Sequence, residues 1–206
     1  MFGLRIRYMD LDLRLVREVD LPKLAALQPT DYEHDPRAEV WPGDSLAEHR
    51  RRLLFQDYWR SLGTMSPSSW RLDFAVRHRD SLVGIQSLEA EQFLALRTVD
   101  TGSWLVPAVR GRGIGVAMRT AVLSLAFDHL GALAAVTSAR TDNGASLGVS
   151  RRVGYQANGV SLNASGNGLV QLHHMRLTAD EWHASERLEQ AKVAGVDPCT
   201  KWFGLT

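Results

Sequence analysis

The chain has 206 residues, of which 45% are hydrophobic, and its formal net charge at pH 7 is +1. A chain of this length and apolar content can bury one sizeable core, so a single domain over residues 1–206 is expected. The balanced charge provides no bulk attraction to nucleic acid or to a membrane surface, and neither partner is expected. Cys199 is the one cysteine, which excludes an intrachain disulfide.

The N-terminal segment has none of the features of a targeting sequence. Charged residues are scattered through its first fifteen positions, and no apolar run in the chain approaches the roughly 18 residues of a membrane span. These observations predict a cytoplasmic protein.

The first quarter of the chain predicts one strand and two helices. Residues 11–16 alternate apolar and polar side chains, which indicates a strand. A short helix follows near Pro22, and a loop rich in proline, aspartate and aromatic residues spans 29–44. Ser45 and Glu48 have the spacing of a capping box, which predicts the start of a second helix.

Three strand-like segments come next in the chain. The first two flank residues 78–81, which have the composition of a hairpin turn. The three segments are 70–77, 82–89 and 98–106.

The second half alternates helices and strands. Residues 110–115 are glycine-rich and open a helix that ends at Gly131, and the continuous apolar run 132–138 is typical of a strand buried on both faces. Asp142 or Asn143 begins another helix, which ends at Gly154. The remaining elements are strands near 155–161 and 169–177 and a helix capped by Thr178. Together these elements predict an α/β (α+β) fold with a central mixed, mostly antiparallel sheet of about seven strands and helices on both faces.

The strand-to-helix turn that contains Gly111, Gly113 and Gly115 carries the clearest chemical signal. Glycines permit positive φ angles and let backbone amides approach a ligand closely. The helix start adds unpaired N–H groups and partial positive charge, so the turn suits a pyrophosphate. No Gly-Lys-Ser/Thr follows, and the glycine spacing is not that of a dinucleotide-binding fingerprint.

These residues resemble a known signature. Arg110-x-x-Gly113-x-Gly115 is similar to the Arg/Gln-x-x-Gly-x-Gly/Ala motif with which the GNAT superfamily of N-acyltransferases binds the pyrophosphate of coenzyme A. Three further pieces resemble GNAT landmarks in the same order: Asp100-x-Gly102-x-Trp104-x-x-Pro107, Asn143-x-x-Ser146 and Gly154-Tyr155.

Two more segments resemble the branch that modifies ribosomal-protein N-termini: Leu11-x-Leu13-Arg14 and Leu177-Thr178 with Trp182. The resemblance covers about residues 8–185 and leaves 186–206 as a C-terminal extension.

The resemblance implies an acyl-CoA-dependent N-acyltransferase that acts on a primary amine of a small molecule or a protein N-terminus. Acetyl-CoA is the expected donor. Succinyl-CoA is the alternative, because Arg140, His173 and His174 leave room for an acidic acyl group. No metal is implied, and because dimers occur in the family, a homodimer is one expectation.

In the family, a bulge splays the strand at 98–106 away from the strand at 132–138, and the pantetheine arm lies in that opening. A backbone N–H near Leu105 would polarise the thioester carbonyl. The implied cofactor-binding residues are Trp104, Leu105, Val106, Arg110, Gly111, Arg112, Gly113, Ile114, Gly115, Val116, Asn143 and Ser146. Three arginines are candidates for the ribose phosphate, with plain surface positions as the alternative: Arg119, Arg151 and Arg152.

Two residues take the implied catalytic positions. Asp100 stands where many relatives have a catalytic Glu, so it is the candidate general base, although a merely hydrogen-bonded strand-end Asp is the alternative and Glu89 and Glu91 are rivals. Ser150 stands where many relatives have an acidic Tyr. Either Ser150 relays a proton through water to the leaving thiolate, or the site has no dedicated acid.

Tyr32, Trp41 and His174 are the candidate acceptor-binding residues, beneath the loop 29–44 and the last hairpin, with ordinary packing as the alternative for each. Two other classes of function stay open. One is a non-catalytic CoA-binding or regulatory module, which the missing Tyr at position 150 favours. The other is an unrelated nucleotide-binding protein.

Overall fold

The computed structural model describes residues 3–32, 38–165, 168–186 and 189–205, so part of the predicted loop 29–44 lies outside the described residues. The strands are β1 (Arg5–Tyr8), β2 (Leu11–Leu15), β3 (Trp70–His78), β4 (Ser81–Ala90), β5 (Thr98–Leu105), β6 (Ala134–Arg140), β7 (Gln156–Ser165), β8 (Gly168–Thr178) and β9 (Lys192–Ala194). The helices are α1 (Leu21–Leu27), α2 (Leu46–Gly63), α3 (Phe93–Leu96), α4 (Ile114–Ser124), α5 (Gly144–Val153) and α6 (Ala179–Ala184).

All nine strands belong to one mixed sheet in the order β7-β8-β6-β5-β4-β3-β2-β1-β9. Only β5 and β6 pair in parallel, and every other neighbouring pair is antiparallel. The predicted fold class is therefore confirmed.

The predicted count of seven strands is wrong, because β1 and β9 were missed. β1 has only four residues and β9 only three, which is too short for a two-residue periodicity to stand out. The two strands pair with each other at one edge of the sheet, with Arg5 opposite Ala194.

Alternation of side chains along the strands divides the buried residues between two faces of the sheet. Leu72 and Phe74 of β3 belong to the larger cluster, which α4 covers. Ala75 of β3, Ile85 of β4 and Trp104 of β5 belong to a smaller cluster on the other face, which α1 and α2 cover. Helices thus lie on both faces, as the sequence predicted.

The helix starts follow the capping signals in the sequence. At the start of α2 the Glu48 amide donates to the Ser45 hydroxyl and the Ser45 amide donates to the Glu48 carboxylate, at 3.2 and 2.8 Å. Thr178 and Glu181 repeat this reciprocal arrangement at α6. No helix in the described part of the chain combines the length and apolar character that a bilayer crossing requires.

Candidate active site

The parallel strands β5 and β6 separate partway along the sheet. Their pairing begins at Thr98 opposite Ala134 and ends at Asp100 opposite Val136. Beyond that point β5 still pairs with β4 on its other side, and β6 still pairs with β8. The two inner edges therefore form a fork in the middle of the sheet.

The direction of the backbone groups at the fork follows from one hydrogen bond. The Val106 amide donates to the Val83 carbonyl, toward β4, at 2.9 Å. Because these directions alternate along an antiparallel pair, the backbone groups of Ser103 and Leu105 point to the opposite edge, into the fork. The Leu105 carbonyl accepts a bond from Arg110 Nε at 3.0 Å, which leaves the Leu105 N–H directed into the opening.

The expected bulge is not found on the β4 side of the fork. The register between β4 and β5 runs without a shift from Gly84 opposite Leu105 to Glu89 opposite Asp100. At the apex of the fork, the Thr137 hydroxyl of β6 donates to the Thr101 carbonyl of β5 at 3.0 Å. At the point where β5 and β6 separate, this side-chain hydrogen bond replaces the backbone hydrogen bonds between the two strands.

The glycine-rich turn lies beyond the end of β5 and forms the start of α4. Gly111 and Gly113 adopt left-handed φ angles of +73° and +81°, and a Cβ atom built at either position would meet nothing within 4 Å. The first helical bond runs from the Ala117 amide to the Gly113 carbonyl, so the helix supplies no acceptor for the amides of Ile114, Gly115 and Val116. Open space and these amides together fit an anion.

The two arginines of this turn have different surroundings. Arg110 forms a two-pronged ion pair with Asp31, with N···O distances of 2.5 and 2.9 Å. Arg112 is exposed. Arg110 therefore ties the loop after α1 to the glycine turn, and Arg112 is the arginine with more freedom to reach an anion.

The start of α5 faces the open end of β6. Asn143 is exposed, and its Oδ1 accepts the Ser146 amide at 3.0 Å, so it caps the helix. Ser150 is only 1% exposed and its hydroxyl donates to the Ser146 carbonyl at 3.1 Å. The hydroxyl proton of Ser150 is thus already engaged inside the helix.

Asp100 lies at the apex of the fork, on the sheet face that α1 and α2 cover. Burial, and then the neighbouring Glu89 carboxylate, raise the pKa of Asp100 to about 6. The Thr101 amide donates to Asp100 Oδ1 at 2.5 Å and partly offsets this rise. A carboxyl group with this pKa is ionised at neutral pH and still a useful proton acceptor.

An ion-pair network stands beside Asp100 on the same face. Arg71 of β3 donates to Asp73 at 3.1 Å, to Glu89 at 3.0 Å and to the Ser87 hydroxyl at 3.1 Å. Glu89 is directly opposite both Arg71 and Asp100 in the sheet. Glu91, the other rival base, is exposed in the turn that follows β4.

A cavity of about 60 Å³ opens between this network and helix α2. Gly102 and Trp104 of β5 line it on the fork side, and Asp57 of α2 lines it on the other. Burial raises the pKa of Asp57. The cavity lining thus contains the carboxylates of Asp57 and Asp73 and the guanidinium of Arg71.

The three candidate acceptor residues are not brought together. Tyr32 lines the cavity, and burial raises the pKa of its hydroxyl. Trp41 is 47% exposed and stacks against Arg52 of α2 at 4.0 Å, so the structure places it outside the cavity lining. His174 is on the same sheet face as Asp100 but beyond β6, where its Nε2 lies 2.8 Å from the Ser161 hydroxyl.

Two arginines of α2 have a role that the sequence did not indicate. Arg50 donates to the carbonyls of Pro29 and Tyr32 at 2.8 and 3.0 Å, and Arg52 donates to the Glu39 carbonyl at 2.8 Å. These bonds hold the described parts of the loop 29–44 against α2.

Arg119 is the most unexpected residue of the site. The alternative that it is a surface residue is wrong, because its side chain is only 2% exposed, on the face of α4 that packs under the sheet. Its guanidinium reaches Thr137 of β6 and Ser103 of β5, which stand on the two arms of the fork. Arg151 and Arg152 are exposed. Across the described residues, no group of three or more His, Cys, Asp or Glu is placed to hold a metal ion.

Comparison with known proteins adds a family and a set of structures. A model of the acetyltransferase (GNAT) domain family matches residues 10–156. RimJ of Mycobacterium smegmatis, solved in complex with a CoA disulfide, has a TM-score of 0.71 at 20% identity, covering 88% of this chain and 88% of RimJ.

Two other solved structures superpose over nearly their whole length. RimL, a ribosomal L7/L12 α-N-protein acetyltransferase in complex with coenzyme A, has a TM-score of 0.66 at 20% identity, covering 86% of this chain and 99% of RimL. A spermidine N-acetyltransferase, a SpeG chimera from Vibrio cholerae and hSSAT, has a TM-score of 0.66 at 14% identity, covering 86% and 100%. At these identities the structures share the fold with this chain.

Proposed function

The chain belongs to the GNAT acetyltransferase family, and on that premise we propose that it transfers an acyl group from a CoA thioester to a primary amine. The observation that carries this proposal is the fork between β5 and β6, open beside the glycine turn of α4. A pantetheine arm can pair with the inner edge of β5 while the diphosphate binds the amides of 114–116. The two features suit one extended thioester.

Different observations support the individual residues that the sequence proposed for binding CoA. The amide direction at Leu105 and the open amides at Gly115 and Val116 favour roles in binding the thioester and the diphosphate. Asn143 caps α5 through Oδ1 and keeps its amide nitrogen for the pantetheine arm. Arg110 contributes through its link to Asp31 as well as through its charge.

The proposed reaction is direct attack. The lone pair of the neutral amine forms a bond to the thioester carbonyl carbon, and the negative charge that develops on oxygen is stabilised by the Leu105 N–H. The carbon–sulfur bond then breaks, with its electron pair leaving on sulfur. The proton lost by the amine passes to Asp100, directly or through water, and the products are an amide and CoA.

Proton donation to the departing sulfur needs no side chain in this proposal. The buried Ser150 hydroxyl is committed to the Ser146 carbonyl, which favours the second alternative raised from the sequence. A thiol with a pKa near 8.5 leaves readily as a thiolate and takes a proton from solvent.

The acceptor class follows from charge and from amine basicity. The carboxylates of Asp57 and Asp73 in the cavity lining favour an ammonium group there. An α-amine with a pKa of about 7.8 is far more often neutral at pH 7 than a lysine ε-amine of about 10.4, a difference near 3.5 kcal/mol. A base such as Asp100 compensates poorly for that difference, so we infer that the acceptor is a small amine of low pKa or a peptide α-amine.

Activity and binding together test the proposal. Purified protein is incubated with acetyl-CoA or succinyl-CoA and with panels of free amines, N-terminal peptides and lysine peptides, and free thiol and amide mass are both measured. Amide formation, faster on α-amines than on ε-amines at pH 7, is expected. Failure to bind CoA by titration calorimetry would remove the basis of the proposal.

A non-catalytic CoA-binding module is the second candidate, and the engaged Ser150 hydroxyl is the observation that favours it. It predicts tight CoA binding with no amide product from any amine class. The two functions are therefore separated by the same experiment.

A further inference from the structure

Arg119 is a buried cation without a charged partner. Its contacts to Thr137 Oγ1 and Ser103 Oγ are 3.4 and 3.5 Å long, at the limit of hydrogen bonding, and it also lies against the Tyr155 hydroxyl. Its Nε is buried with no acceptor. Within the described residues no carboxylate forms an ion pair with it.

Such an arrangement is costly unless an anion completes it. A buried guanidinium loses its hydration, and contacts to the neutral hydroxyls of Thr137, Ser103 and Tyr155 do not replace what a carboxylate supplies in two parallel bonds. Arg71 of β3, on the opposite face of the sheet, has Asp73 and Glu89 as partners. The planar donors of Arg119 have no carboxylate acceptor among the described residues.

The position of Arg119 indicates where the missing anion comes from. Ser103 is two residues before Leu105 on the same edge of β5, and two residues of strand span about 6.6 Å. Thr137 is directly past the last pair of β5 and β6. The guanidinium therefore lies nearer the apex of the fork than the Leu105 amide, which is proposed to hold the thioester carbonyl.

We propose that Arg119 binds the terminal carboxylate of a short dicarboxylic acyl group carried on CoA, with succinyl as the representative, and so selects acidic donors over acetyl. This inference rests on the proposed acyltransferase function and names its donor class. A four-carbon succinyl chain with a hydrogen bond at each end is long enough to extend from the Leu105 amide past Ser103, which Arg119 contacts.

Arg119 is better suited to this role than the basic residues that first suggested an acidic donor. Arg140 is already paired with Asp142 at 3.0 and 2.6 Å. His173 shares the sheet face of Arg119, but it is on β8 opposite Ala139, three residues beyond Val136 at the apex of the fork. Arg119, in contrast, contacts both arms of the fork.

The first test uses the unaltered protein with two donors of equal chain length. Succinyl-CoA and butyryl-CoA both carry four-carbon acyl groups, but only succinyl ends in a carboxylate. We expect kcat/KM with succinyl-CoA to exceed that with butyryl-CoA and with acetyl-CoA by at least tenfold. Equal or better rates with the neutral donors would overturn the inference, even if the protein folds and acylates amines well.

The second test measures binding without turnover. Titration calorimetry compares succinyl-CoA and butyryl-CoA on the unaltered protein, on Arg119→Met and on Arg7→Met, which makes the same substitution at an exposed arginine of β1. The affinity advantage of succinyl-CoA should disappear in Arg119→Met and persist in Arg7→Met. If Arg119→Met does not fold, Arg119→Lys keeps the charge and shortens its reach, and the donor ratio should fall.

The outcomes separate this inference from the proposed function. Amide formation from acetyl-CoA with no preference for succinyl-CoA would contradict the role of Arg119 alone. Failure to bind any CoA derivative would contradict both. A change in pH profile in Arg119→Lys, with the donor ratio unchanged, would show that Arg119 acts on Asp100 rather than on the acyl group.

Discussion

At the scale of single residues, the raised pKa of Asp100 suits a general base and lowers the stability of the folded protein. Its pKa is raised to about 6, whereas in an unfolded chain it is near 3.9. The folded state therefore holds the proton more tightly, and stability is lost as pH rises between about 4 and 6.

We predict that Asp100→Asn removes that loss together with the base. Its free energy of unfolding should exceed that of the unaltered protein by about 3 kcal/mol at pH 8, and the gain should vanish near pH 4. The rate of acyl transfer should fall by about 10² to 10⁴. Urea unfolding at the two pH values and the thiol-release assay measure the two effects, and a less stable, fully active variant would contradict both.

Glu89 and Asp100 can be distinguished by the direction in which the pH–rate profile moves. The Glu89 carboxylate raises the pKa of Asp100, so Glu89→Gln should shift the acid limb of kcat/KM to lower pH while keeping activity within about tenfold. Arg71→Met removes the cation that pairs with Glu89 and lowers the pKa of Asp100. The acid limb of kcat/KM, which reports the coupled Glu89 and Asp100 carboxylates, should therefore shift to higher pH. Loss of activity in Glu89→Gln comparable to that of Asp100→Asn would identify Glu89 as the base instead.

The sequence located Asp100 but not the environment of Arg119. Asp100 is found by its place in a recognisable strand, whereas its raised pKa depends on Glu89, which is eleven residues earlier in the chain and directly opposite in the sheet. Arg119 had a usable signal: it follows Gly115 by four residues and precedes Val122 by three, on the packed side of α4. Its charge favoured a surface position, and its contacts with Ser103 of β5 and Thr137 of β6 depend on tertiary packing that the sequence does not show.

At the scale of elements, the glycine turn depends on backbone conformation at two positions. Gly113 precedes α4 with a φ of +81°, which a residue with a Cβ adopts only with strain. We predict that Gly113→Ala weakens CoA binding by tenfold or more in calorimetry and lowers the free energy of unfolding by about 1 kcal/mol.

The matched control for that change is Gly148→Ala. Gly148 is inside α5 without a positive φ, and a Cβ there meets nothing within 4 Å. Alanine should therefore leave CoA affinity unaltered and raise stability by up to about 1 kcal/mol. Equal loss of CoA affinity in the two variants would show that the conformation of the turn is not what binds the diphosphate.

The order of elements was more predictable from sequence than the fork that they form. Capping boxes at Ser45 and Thr178 gave the starts of α2 and α6, because those signals are local. The separation of β5 from β6 is not local, because it depends on where the pairing of the two strands stops, at Asp100 and Val136, which are 36 residues apart in the chain. Family resemblance, rather than periodicity, supplied that expectation.

At the scale of the whole molecule, the chain beyond α6 completes the sheet and the core. β9 covers the edge of β1, and a 3₁₀ helix at Asp197–Phe203 follows, both within the segment 186–206 that the sequence marked only as a C-terminal extension. Short strands and 3₁₀ turns lack the spacing by which sequence patterns are recognised, so this contribution could not be anticipated.

Phe203 shows how far this last segment reaches. It is fully buried, and its ring meets Trp70 at 5.2 Å, on the side of β3 opposite Arg71; Trp70 in turn meets Phe93 at 5.2 Å. We predict that Phe203→Ala lowers the free energy of unfolding by about 3 to 5 kcal/mol, because the cavity would open among aromatic rings that cannot collapse onto it. Trp202→Ala, one residue earlier and 43% exposed, should cost less than about 1 kcal/mol. Urea unfolding of the two variants decides the matter, since equal midpoints would mean that the C-terminal segment adds nothing to the core.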